Sequence, residues 1–397
     1  MAPHRSLLRA LTGTLPLALA AVLSSATAAT ATPGSAPNAA PPPARAASAQ
    51  VPSGVTAGVA VFDRQTGAFT EQVNSAVPFR SASVVKILIA LDLVWDRGPD
   101  TLSAADRSRV DAMLRGSDDS AASHFWANRG QGALIDRMVA RLGLLDTARP
   151  PATHPGYWGY TALSARDTVT VYRYLLDTAP PAVRDYVMGN LRQSTRCAAD
   201  GYDQHFGIAG AFNRPWAVKQ GWSGFSSGGC TTTAAAGTTA SAGTTEGART
   251  DGATAAAAVD LARPALHTTG VVGVGDRSVV AVLTLHPQGT PYGKAYTDVG
   301  RLTRSLNVPG ATRPAGTWIG TWGSGVRVRA QATTASSALT TLPAGAEVLV
   351  SCQTRGQQVS VPPYVNDWWA YLPQYRGYMT NIYLSSPDNQ VPGVPVC

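Results

Sequence analysis

Lysine is almost absent from this chain of 397 residues: of its 32 basic residues only Lys86, Lys219 and Lys294 are lysines. Charge of either sign is sparse, at 14% of the composition, and the arginines are dispersed rather than clustered. That dispersal speaks against nucleic acid as a partner, because such binding needs a concentrated positive field. The net charge of +8 suits a surrounding rich in anionic polymer. No two cysteines lie close together and no His-x-x-x-His spacing occurs, so no metal centre is expected, and nothing calls for a cofactor. An unbroken apolar run of the roughly 20 residues that a membrane span needs is also missing.

The longest apolar stretch, 10–23, is interrupted by Thr12, Gly13, Thr14 and Pro16. Arg5 and Arg9 precede it, and Ala26-Thr27-Ala28 and Ala29-Thr30-Ala31 follow as small-residue cleavage sites. Residues 1–31 therefore read as a signal peptide, and the mature protein is expected to be secreted or wall-associated, without a membrane span. No cysteine near the cleavage region supports a lipid anchor. Residues 32–50 are mostly Ala, Pro, Ser and Gly, too poor in apolar surface to offset the entropy of ordering, and read as a disordered linker.

Two folded units are expected after the linker, from the length and from a change of character near residue 317. In the first, 51–309, a hairpin spans 55–73, and a dense apolar run at 84–93 has the length of a buried helix. More helices are expected at 103–114, 120–128, 132–142, after the capping hydroxyl of Ser164, and at 182–191. Strands at 216–219, 271–274 and 278–285 precede a closing helix at 296–306. Strands at both ends with helices between them describe an α/β domain whose terminal segments share one sheet. Between two of these strands lies 231–258, nearly all Thr, Ala and Gly, which reads as a low-complexity insertion in a surface loop. The second unit, 317–397, is all strands and turns. Four cysteines in an oxidising compartment allow three pairings. Cys197–Cys230 and Cys352–Cys397 are expected, since separately folding domains rarely cross-link.

Ser83-Val84-Val85-Lys86 opens the buried helix, so the ammonium lies one turn beyond the hydroxyl on the same side. A serine is a weak nucleophile until a base takes its proton, and burial favours a lysine with reduced proton affinity. The spacing alone is equally that of a capping serine and a snorkelling lysine. Two further elements follow: Ser117-Asp118-Asp119 at a helix junction, and Lys219-Gln220-Gly221 at the end of an apolar strand. Together the three resemble the serine-lysine, Ser-Asp-Asn and Lys-Thr-Gly boxes of β-lactamases and penicillin-binding proteins, in the same order. Two of the three lysines occupy the two boxes that require one.

The resemblance implies a β-lactamase-like fold over 51–309, with a reduced helical lobe because the gap from Ser83 to Ser117 is short. It implies that Ser83 is acylated, that Lys86 activates it, that Ser117 carries a proton to the leaving group, and that Lys219 sets the field of the site and helps bind a substrate carboxylate. The backbone N–H groups of Ser83 and Trp222 would form the oxyanion hole. Asp119, Gln220 and Gly221 would meet the substrate. Asp119 stands where the family has an amide, and an ionised carboxylate accepts but cannot donate. Gln220 replaces a small hydroxyl residue. Between Asp146 and Asp167 no acid is present to activate a deacylating water; the stretch is aromatic instead, from His154 to Tyr160, and reads as a packed loop under the site or a stacking surface. Rapid lactam turnover is not expected.

His205 is read as satisfying a loop rather than serving the site. Gly224-Phe225-Ser226-Ser227-Gly228 matches a nucleophile elbow, but no helix follows it. In the second unit, Val326-Arg327-Val328-Arg329, the Pro343-Ala344-Gly345 turn, Trp368-Trp369 and Gly377-Tyr378 resemble a bacterial SH3-like barrel, which implies binding to wall peptide or glycan. Alternation predicts one of Trp368 and Trp369 inward and the other outward. Two functions stand: a serine acyl-enzyme hydrolase on cell-wall peptide or a related amide, and a degraded relative that binds peptidoglycan without turnover. No oligomeric state follows from the sequence.

Overall fold

Apolar and small residues alternate along β1 (Thr56–Asp63), which turns into β2 (Ala68–Val73). The chain passes through the short β3 (Phe79–Arg80) and a 3-10 turn, Ala82–Val85, into α1 (Lys86–Val94). The helices α2 (Ala104–Arg115), α3 (Asp119–Asn128) and α4 (Gly132–Leu142) follow, then β4 (Ala162–Leu163), which pairs with β3. After α5 (Ala165–Arg173), α6 (Pro181–Arg192) and the short α7 (Ile208–Ala211) come three long strands, β5 (Trp216–Ser223), β6 (Ala265–Val272) and β7 (Ser278–Leu285), and then α8 (Tyr292–Ser305). This computed structural model describes residues 49–226, 228–230 and 259–397; the segments expected to be a signal peptide (1–31), a linker (32–50, nearly all of it) and an insertion (231–258) lie outside the described residues.

The sheet is antiparallel in the order β2-β1-β7-β6-β5, and β1 pairs with β7 from Thr56–Leu285 to Asp63–Ser278, so both ends of the unit share its centre. Every residue of β6 and β7 is buried, because both faces are covered. One face, with Ala60, Ala217, Val271 and Ala281, packs against the helices between α1 and α6. The opposite face, with Val61, Val218, Val272 and Val282, packs against Ile208 and against Leu302 of α8. β5 is an edge strand, so it presents alternate side chains to two different layers and leaves one backbone edge free.

Eight of the nine residues of α1 are buried, and one of them is Asp92. Burial alone would raise its carboxyl, but Arg137 and Arg129 outweigh that and hold it below its ordinary value. The guanidiniums of Arg129, Arg137 and Arg141 lie 2.8, 2.8 and 3.2 Å away and tie α1 to α4. Asp92→Asn is expected to lower unfolding free energy by about 3 kcal/mol, since three cations lose their shared anion. A depressed folded value means that this contribution is present above the unfolded carboxyl value of about 4 and is lost as pH falls through the folded value. Urea unfolding should therefore show the deficit at pH 7 and a smaller one on acidification.

The second unit holds β8 (Thr317–Gly320), β9 (Val326–Arg329), β10 (Ala338–Leu342), β11 (Glu347–Val350), β12 (Cys352–Val361), β13 (Tyr364–Leu372) and β14 (Gly377–Thr380). They form a sheet in the order β10-β9-β14-β13-β12 and a separate β11-β8 pair, and the two are not closed into a single barrel. Val328, Leu342, Val350, Leu372 and Met379 fill the space between. Trp369 is buried and donates to Gln357 O at 2.8 Å, whereas Trp368 is half-exposed under Arg355. Cys197–Cys230 and Cys352–Cys397 are both bonded, with Cα separations of 5.7 and 5.0 Å. These strands rest on the first unit: Glu347 pairs with Arg301 and Arg304 of α8, Tyr375 Oη donates to buried Asp203 at 3.3 Å, and Thr341 Oγ1 donates to Gly229 O at 2.6 Å.

Candidate active site

Ser83 sits in the 3-10 turn ahead of α1, directly after Ala82, whose φ is +44°. Ser117, between α2 and α3, has φ +56°. Non-glycine residues in this region carry strain that the surroundings must hold, and here both flank the same chemistry. Ser83's turn is held by Ser81 N, which donates to Thr161 O at 2.8 Å, and Gly221 of β5 lies so close that a Cβ built on it would stand 3.2 Å from Ser83 N. Only glycine lets the edge strand approach this closely.

Lys86 is fully buried at the first position of α1, and Lys219 is buried on the face of β5 that meets the helices. They converge on one hydroxyl. Ser117 Oγ accepts from Lys219 Nζ at 2.8 Å and from Lys86 Nζ at 3.2 Å. Lys86 Nζ also donates to Ser117 O at 2.7 Å and to Asp119 Oδ1 at 2.5 Å. Burial lowers the proton affinity of both lysines. For Lys219 the shift is large and the charge of Lys86 adds to it; for Lys86 the carboxylate of Asp119 works in the opposite direction. Ser83 Oγ, meanwhile, makes no hydrogen bond among the described residues, so Lys86 at rest is engaged by Ser117 and Asp119.

Gln220 does not join this cluster. Successive side chains of a strand point to opposite faces, and Gln220 is buried on the far side, donating to Phe206 O at 2.7 Å. The substrate contact expected of it is not one this fold provides. Trp222 also turns its indole to the far side, where it stacks on Tyr202 with centroids 5.7 Å apart. Its backbone follows Gly221 along the free edge of β5. His205 faces Ser194 O at 3.1 Å, away from the lysines, and burial pushes its imidazole down to about 4.

The aromatic stretch packs beneath the serine. Gly159 leaves room for Ala82, and the Trp158 ring lies 4.7 Å from Lys86 Nζ, with its Nε1 donating to Ser123 Oγ at 3.2 Å. An apolar face thus stands beside the lysine where a carboxylate would be needed to activate water. Asp200 is the group that the sequence reading missed: its carboxylate accepts from Trp222 Nε1 at 2.9 Å on the rim of the site. The Asp200-Gly201 turn after Cys197 was the available signal. Among the described residues no cluster of three or more His, Cys, Asp or Glu is arranged to hold a metal, and no helix is long and apolar enough to cross a membrane.

The fold and these contacts define an α/β protein in which two buried lysines converge on one serine hydroxyl. No family model matches the chain. It is similar to "Putative lipoprotein LppW" of Mycobacterium tuberculosis and of Mycobacterium bovis, each 41% identical over 175 residues, which cover 43% of this chain and 54% of the relative. The chain thus spans about half the length of the curated relatives it matches. Among solved structures it is similar to PBP-A, at 16% identity and TM-score 0.44 over 64% of this chain and 89% of that one. A class A β-lactamase from Mycobacterium abscessus gives 17% identity and TM-score 0.44 over 64% and 92%. Likeness of that degree does not bear on what the chain does; its own site must carry the argument.

Proposed function

We propose that this chain is an exported, β-lactamase-like serine acyl hydrolase or acyltransferase acting on cell-wall peptide or a related amide. The observation that carries the reading is the convergence of two buried lysines on Ser117 Oγ, one turn from Ser83. In this reading neutral Lys86 takes the Ser83 proton as Oγ attacks the carbonyl carbon, and the N–H groups of Ser83 and Trp222 receive the oxyanion. Ser117, fed by the lysines, passes a proton to the leaving nitrogen. The C–N bond then breaks and an ester remains on Ser83, to be released by water or a second amine. With Trp158 against Lys86 and the Asp119 carboxylate already held by that ammonium, no free carboxylate at Lys86 is left to activate water, and the ester is expected to persist.

The second unit is read as an SH3-like wall-binding module. Trp322 and Tyr364, 48% and 59% exposed with centroids 6.0 Å apart, support a platform for peptide or sugar. The lipoprotein name of the mycobacterial relatives agrees with an envelope location.

A second reading, peptidoglycan binding without turnover, is favoured by one fact: Lys86 is paired with Asp119 rather than bonded to Ser83. Intact-mass measurement after exposure to penicillin and to a fluorophosphonate separates the two. A covalent adduct that disappears in Ser83→Ala supports the hydrolase. No adduct from either reagent, with the full chain still sedimenting with peptidoglycan, supports the binder.

A further inference from the structure

Asp200 belongs to none of the three boxes, yet its turn joins the segments that carry two of them. Ala199 N donates to Gly116 O at 2.8 Å, which sets the 198–201 turn beside Ser117. Trp222 Nε1 donates to Asp200 Oδ2 at 2.9 Å, and Tyr202 N donates to Oδ1 at 3.3 Å. The turn is held by Ala198 N to Tyr202 O at 2.9 Å, by Gly201 N to Ala198 O at 3.0 Å, and by the Cys197–Cys230 disulfide. Asp200 itself is exposed, while both lysines are buried at the floor. It is close enough to act electrostatically on Lys86 and on Lys219.

The cations on this side are already engaged. Lys86 is paired with Asp119, and Arg115 is bonded to Asn190 at 2.6 Å and to Asp111 at 3.2 Å. A groove of about 350 Å³ adjoins the same turn and is lined by Asp111, Asp118, Gly116 and Ala199 among others. With Gln220 turned to the far face, no hydroxyl or amide at that position of β5 is left to receive a substrate carboxylate. The carboxylates of Asp118, Asp119 and Asp200 thus lie on segments that flank Ser117.

We propose that Asp200 is a specificity-determining residue, selecting acyl substrates that carry an ammonium group at the mouth and rejecting those that carry a free carboxylate there. Discrimination then comes from repulsion of the wrong charge as much as from attraction of the right one. The inference rests on the acyl chemistry proposed for Ser83, and its test is arranged so that the two fail separately.

The test compares penicillin G, a free carboxylate, with its aminoethyl ester, which keeps the same reactive amide but carries an ammonium group. Acylation of the full chain is followed by intact mass. The expected result is faster reaction with the ammonium probe by about tenfold or more. In Asp200→Asn, which keeps an acceptor for Trp222 Nε1, that ratio should fall toward one. Equal rates for the two probes in the unaltered chain, or a ratio unchanged in Asp200→Asn, overturn the proposal. If neither probe nor a fluorophosphonate labels Ser83, the acyl reading has failed instead. Charge selection is then read from calorimetric binding of D-alanine amide against N-acetyl-D-alanine. A preference for the amine that is lost in Asp200→Asn sustains the proposal, and no preference overturns it.

Discussion

Lys86→Met is expected to slow acylation of Ser83 by about a thousandfold, the scale typical of a removed general base. Methionine fills the buried space of the lysine stem without the amine, so folding should survive while the proton acceptor is lost. The pH profile gives the sharper reading. Lys86 must be neutral to accept a proton, so the unaltered chain should label faster as pH rises through the lysine's own value. Burial moves that limb down from the ordinary lysine range, and Asp119 moves it part of the way back. The variant should lack the limb. Fluorophosphonate labelling rates across pH measure both effects, because this adduct does not depend on deacylation. A variant that labels at the original rate with the same pH dependence would remove Lys86 from the mechanism.

Gly221→Val is expected to cost about a hundredfold in the same rate, although residue 221 carries no chemistry. A Cβ there would meet Ser81 O at 3.0 Å, Ala82 Cβ at 3.2 Å and Ser83 N at 3.2 Å. Two of those atoms are backbone, and the third belongs to a residue held at positive φ, so none yields easily. The edge strand must instead move away from the serine, carrying with it the Trp222 N–H that would meet the oxyanion. Loss of one such donor typically costs about a hundred- to a thousandfold. Overpacking should also reduce stability by about 1–3 kcal/mol, and thermal unfolding checks that the variant remains folded at the labelling temperature. A folded variant with undiminished labelling would show that Trp222 N–H is not an oxyanion donor.

Some elements could be read locally because their signals are local. Ser103 and Ser164 accept from the backbone of Asp106 and Asp167 as capping hydroxyls do, and the amphipathic run of α4 begins and ends where its pattern does. Other boundaries were displaced by partners far along the chain. The expected strand at 216–219 extends to Ser223 because Lys219, Gln220 and Gly221, unpromising as strand residues, pair across to Thr269, Thr268 and His267. β6 begins at Ala265 rather than 271 because its polar residues are satisfied: His267 Nε2 meets Arg80 O at 2.8 Å, and Thr269 Oγ1 donates to Lys219 O at 2.7 Å. Such bonds join positions up to 187 residues apart, and no local pattern records them.

By itself, the sequence singled out two of its three lysines and the serines expected beside them, and it determined how the cysteines pair. Those properties follow from residue type, from spacing within a helical turn and from the division of the chain. The tertiary structure alone decided that Gln220 faces away, that Trp158 lies against Lys86, and that Asp200 is bonded to Trp222. Each of those depends on which face of a strand or loop meets which layer, a matter set by packing between distant segments rather than by neighbours in the chain.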